Sequence, residues 1–126
     1  MIEAKDWQWF GHAGHLCVGA SCRFHLCTRV GKYLISTVGD YYPYGQKDGS
    51  KRETIGAGED SFFECYVFRV VGEDGCKDET CGCGMPEVRW LEIEGRRYAT
   101  AGAAREAHMQ ACIKYARRKK WRFGTY

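Results

Sequence analysis

The stretch Cys22-Arg-Phe-His-Leu-Cys-Thr-Arg-Val30, followed by Gly31-Lys32 and then Tyr33-Leu-Ile-Ser-Thr-Val-Gly39, constrains the fold more than any other part of the chain. Both runs are rich in β-branched and aromatic residues. A glycine opening a two-residue connection fits a type II′ hairpin turn, because that position needs a positive φ. The turn predicts that Val30 faces Tyr33, and the register follows. One sheet face then carries Phe24, Leu26, Thr28, Val30, Tyr33, Ile35 and Thr37; the other carries Arg23, His25, Cys27, Arg29, Leu34, Ser36 and Val38. The first face reads as core and the second as mixed.

The hairpin sits in a chain that is β-rich first and helical last. Asp6 to His15 is aromatic and punctuated by glycine, suited to an irregular segment or a first strand. Phe62 to Val71 is apolar enough for a central strand. Val88 to Ile93 reads as another strand, with Glu94-Gly95 beginning a turn. Thr100 is placed to cap a helix running to about Lys120, whose alanine content and terminal cations suit helix propensity and the macrodipole. On that helix Ala101, Ala104, His108, Cys112, Tyr115 and Ala116 share one face, opposite Glu106, Gln110, Lys114 and Arg117. The expected fold is α+β: an antiparallel sheet of about four or five strands with the C-terminal helix packed on one face.

A length of 126 residues suits a single domain over 1–126, with no repeat or linker dividing it. The first residues lack the basic start and apolar stretch of a secretion signal, and no run is long and apolar enough to span a membrane. The cytosol is the expected compartment. There, the eight cysteines are expected to bind metal or stay free, not to form a disulfide framework. A net charge of +3 does not by itself call for nucleic acid, and its sign excludes mimicry of DNA.

Cys81-Gly-Cys83 and His108-Met-Gln-Ala-Cys112 are the ligand-like pairs. His108 and Cys112 lie one helical turn apart, and Cys81 and Cys83 sit in a glycine-rich loop, so the four can be read as a structural zinc site pinning loop to helix. Cys76 can replace either loop cysteine, and packing of His108 and Cys112 as core residues is the competing reading.

A second concentration of chemistry is His12, His15, Cys17, Cys22, His25 and Cys27. Cys27, His25 and Ser36 share the mixed hairpin face, where a nucleophile, a base and the nearby Arg23 and Arg29 can meet. No acid completes a triad, and a sheet face of hydrogen-bonded histidines explains the same residues. A metal site of His15, Cys22 and His25 is a further reading. Gly56-Ala-Gly58 precedes a strand and lacks the strand-to-helix setting of a phosphate loop, so it reads as a turn.

Two surfaces suggest partners. The polar stretch from Asp40 to Asp60 reads as a long surface loop, in which Tyr41, Tyr42 and Tyr44 offer stiff amphipathic contact area for a host protein. The segment Lys114 to Phe123 mixes cations with aromatics; Arg117, Arg118, Lys119 and Lys120 suit phosphate contacts, or a solvated helix end.

The stretches Trp9-Phe-Gly-His-Ala-Gly-His-Leu16 and Cys22 to Tyr41 resemble small uncharacterised bacteriophage and prophage proteins. The resemblance covers mainly the first third of the chain and carries over no functional residue. It implies an accessory protein in a bacterial cytosol that binds and disables a host factor. A non-enzymatic binding module, stabilised by zinc, is therefore the expected function. A nucleic-acid binder and a small enzyme using His25, Cys27 and Ser36 are the alternatives.

Overall fold

The computed structural model describes residues 7–10, 22–42, 52–55, 58–75, 85–89 and 92–121, with side chains described to Gly72 in the fourth strand and to Arg118 in the helix. Its elements are β1 (Gln8–Phe10), β2 (Cys22–Val30), β3 (Tyr33–Tyr41), β4 (Phe63–Gly75), β5 (Pro86–Val88), β6 (Glu94–Tyr98) and α1 (Ala101–Trp121). The strands run β1-β2-β3-β4-β5, every pairing antiparallel, and β6 pairs with the first half of β4. The protein is thus α+β, with the C-terminal helix against the sheet.

The hairpin forms as its turn chemistry requires. Gly31 has φ 61° and Val30 pairs with Tyr33. β4 is central, bonded to β3 on one side and to β6 and β5 in succession on the other. The hydroxyl of Thr100 accepts the N–H of Ala103 at 3.1 Å and caps α1. The helix then lays Ala111, Cys112, Tyr115 and Ala116 on Val30, Ile35, Cys65 and Val67. Full burial of residues such as Ile35 contributes about 1.5–3 kcal/mol each.

The opposite sheet face is a second core and not a mixed surface. Cys27, Leu34, Val38, Phe68 and Val70 pack there against Ile55, Met85 and Val88, with Phe10 and Tyr41 partly buried beside them. Ile55 comes from the stretch expected to be surface loop. Asp40, at φ 52°, bends the end of β3 and holds Arg52 at 2.9 Å, while the N–H of Glu53 donates to the Tyr41 carbonyl. These contacts return the chain to the sheet and bring Ile55 underneath it.

The expected turn at Glu94-Gly95 is instead the start of β6, and Val88 ends β5. Gly95 lies opposite Tyr66, and a Cβ added there would collide with that ring. The glycine serves a close approach within a strand. Its arginine neighbours place a charged edge in water, a common protection of edge strands.

Candidate functional site

The chemistry-bearing residues of α1 converge under the helix. His108 is fully buried, with Nε2 2.8 Å from the Thr28 hydroxyl and Nδ1 2.7 Å from the Thr37 hydroxyl. Thr28 also bonds the Cys112 thiol, and Thr37 the Cys65 thiol. Thr28 and Thr37 stand on the face that alternation assigned to the core, which is why both reach a side chain descending from the helix. Trp9, opposite Thr28 in β1, lays its ring over His108 with centroids 5.7 Å apart.

Burial sets the protonation of this ladder. It pushes His108 down to about 4, so the imidazole is neutral at physiological pH, and pushes the Cys112 thiol up to about 12. Cys65 is likewise raised, chiefly by burial. Either neutral tautomer of His108 satisfies both threonines, one ring nitrogen donating and the other accepting.

Each His108 nitrogen holds a threonine hydroxyl, so ligation of a metal by this residue requires one of those bonds to open. Cys81, Cys83 and Cys76 lie outside the described residues. Among the described residues no cluster of three or more His, Cys, Asp or Glu side chains is placed to hold a metal ion, and the cysteines Cys22, Cys27, Cys65 and Cys112 are free thiols.

The hairpin's other face brings Cys27 and Ser36 together as a cross-strand pair, with His25 next along the same strand opposite Val38. Their environment opposes nucleophilic chemistry. Cys27 is fully buried with its sulfur 4.0 Å from that of Met85, and burial pushes its thiol up to about 12. A reactive cysteine needs the reverse shift. Arg29 is turned to the hairpin, its Nε donating to the Gly31 carbonyl, and the Arg23 guanidinium lies 4.3 Å from the Tyr42 ring centroid. Cys22 is buried, its thiol pushed up to about 11 by burial and by Glu64 and Asp40. His12, His15 and Cys17 lie outside the described residues.

Tyr41 packs against the second core and Tyr42 carries Arg23, so both are partly committed within the protein; Tyr44 lies outside the described residues. Arg117 and Arg118 are exposed on the last turns of α1, with Arg118 5.3 Å from the Tyr115 ring centroid. The side chains of Lys119 and Lys120 lie outside the described residues.

The sequence reading missed two groupings. Glu64, buried and with its carboxyl raised by that burial, lies beside Tyr66 and Arg97; Arg97 donates to the Tyr66 hydroxyl at 3.1 Å and to the Ile55 carbonyl at 3.2 Å. Alternation along β4 gives Glu64 and Tyr66 one face, but their partner Arg97 stands on a strand read as a turn. The other grouping is a pair of arginines, Arg69 and Arg89, opposed across β4 and the end of β5, where the Arg89 N–H donates to the Arg69 carbonyl at 2.9 Å. No helix among the described residues is long and apolar enough to cross a membrane. No protein-family model matches the chain, and neither a curated protein nor a solved structure does.

Proposed function

We propose that this chain is a small accessory binding module that acts on a host macromolecule without catalysing a reaction. The observation that supports this reading is the closure of three reactive groups among the described residues: Cys27, His108 and Cys112 are fully buried, the thiols held protonated and the imidazole hydrogen-bonded on both nitrogens. Such groups hold a core together and present nothing to a substrate. The resemblance of the first third to phage-type proteins supports a host factor as the target. Outside the core the protein offers contact area, with Trp9 47% exposed and arginines over aromatic rings at Tyr42 and Phe62. Amphipathic aromatics and arginines are the side chains that carry most binding energy at interfaces.

The test is affinity capture by the full chain from bacterial lysate, with and without nuclease. Recovery of one partner at near-equal stoichiometry is the expected result; survival with nuclease marks it as protein, and loss with nuclease marks it as nucleic acid. Recovery of no partner in both conditions contradicts the reading.

A further inference from the structure

Four cations and one open indole gather at the end of the sheet where the hairpin turns. Lys32 is exposed in the turn, and its carbonyl accepts the N–H of Val70 at 2.8 Å, which fixes the turn against β4. Arg69, the residue before Val70, pairs with Tyr33 on one side and faces Arg89 on the other. The Tyr33 ring meets Tyr115 of α1 at 4.7 Å, and Arg118 lies over that same tyrosine. The hairpin tip and the helix end are therefore one surface. Because β1 and β4 flank the hairpin, Trp9 stands beside the middle of α1, at His108, and Arg69 lies across the sheet from it, about three strand spacings or 14 Å away.

The opposed arginines are the telling feature. Like charges directly across a strand pair are destabilising. Neither Arg69 nor Arg89 forms an ion pair among the described residues. Glu94, on the same face opposite Val67, is already committed: its carboxylate accepts from Lys114 at 2.7 Å and from the Tyr115 hydroxyl at 2.9 Å. An arginine pair held together with no ion pair among the described residues is complementary to an external polyanion. Trp9 narrows the choice. Its ring is held at a tilt against His108 and Trp7, with centroids 5.7 and 6.5 Å away, while the residue remains 47% exposed and keeps area for stacking. Bases offer their faces freely only when unpaired.

We infer that the hairpin tip and the C-terminal end of α1 form a binding surface for single-stranded nucleic acid, with Lys32, Arg69, Arg89 and Arg118 contacting phosphates and Trp9 stacking on a base. The inference rests on the binding-module reading and gives it a partner chemistry. A strand running from the arginines past Arg118 and over the second half of α1 reaches Trp9 beside His108.

Fluorescence anisotropy of a labelled, mixed-sequence oligonucleotide of about 20 nucleotides tests the inference, using the full chain freed of nucleic acid during purification. Binding should weaken steeply as salt rises from about 50 to 200 mM. The double variant Arg69→Gln/Arg89→Gln should lose about ten-fold in affinity at low salt and flatten the slope of log K against log salt by about 1.4, the value for two phosphate contacts at ~0.7 each. Its melting temperature without oligonucleotide should hold or rise, since a like-charge pair is removed. Trp9→Leu should lose about ten-fold with the slope unchanged, and Glu106→Ala, exposed on the far side of α1, should bind as the parent does. Equal or tighter binding of the corresponding duplex overturns the inference, as does binding that ignores both substitutions. Absence of binding at low salt also overturns it; if lysate capture still yields a nuclease-resistant protein, the binding-module reading stands while this surface assignment falls.

Discussion

The Nδ1 atom of His108 and the hydroxyl of Thr37 lie 2.7 Å apart across the boundary between helix and sheet, with neither residue exposed to solvent. This bond and its counterpart at Thr28 pin the middle of α1 to the hairpin. Thr37→Val removes one partner and strands a ring nitrogen in the interior, at a cost of about 1–3 kcal/mol in equilibrium denaturation.

The same burial makes stability depend on pH in a defined window. His108 falls from its ordinary value of 6.5 to about 4 in the folded protein, so the unfolded chain binds the extra proton first. Its contribution is complete above about pH 6.5 and is lost as pH falls toward about 4, a change on the order of 3 kcal/mol. Denaturant titrations across that range should show the decline, and His108→Leu should flatten it while lowering stability at neutral pH.

Two glycines should respond oppositely to alanine. At Gly95 the new methyl meets the Tyr66 ring, so Gly95→Ala should cost about 1–3 kcal/mol by displacing packed groups. At Gly102 nothing lies within 4 Å, so Gly102→Ala should stabilise by about 0.5–1 kcal/mol through helix propensity. Thermal melts of both variants check the pair.

The hairpin and the helix were legible in the chain because local rules govern them. Gly31-Lys32 set the register, Thr100 the cap, and the helical period the inward face of His108 and Cys112. The identity of His108's partners was half legible: Thr28 and Thr37 stood on the expected core face, and a buried hydroxyl requires a hydrogen-bond partner. The second core was not legible, because Ile55, Met85 and Val88 reach it from distant segments and alternation cannot say what covers a face. β6 was missed because Glu-Gly-Arg-Arg has weak β propensity; its strand conformation comes from pairing with β4.

The end of the helix provides a local test of the fold. Thr100→Ala removes the acceptor for the Ala103 N–H and should cost about 0.5–2 kcal/mol. Thr100→Asp should retain most of the parent's stability, since its carboxylate both accepts that bond and complements the helix dipole. Chemical denaturation of the two variants separates cap from general side-chain loss.

Metal content distinguishes the two ways of fastening α1. With both His108 nitrogens held by threonines, elemental analysis of protein purified without added metal should find no stoichiometric zinc on this residue, and chelator should leave the melting temperature unchanged. About one zinc per chain, released by chelator with a fall in melting temperature and abolished by His108→Leu, would instead establish the site with Cys81, Cys83 and Cys112.

Thiol reactivity tests the claim of closed chemistry most directly. Native protein treated with iodoacetamide near pH 7.5 and mapped by peptide mass spectrometry should leave Cys27, Cys65 and Cys112 unmodified until denaturant is added, because burial both shields these thiols and keeps them protonated. Rapid modification of Cys27 in the folded protein would reveal an accessible thiolate beside Ser36 and contradict the account of a binding module that does no chemistry.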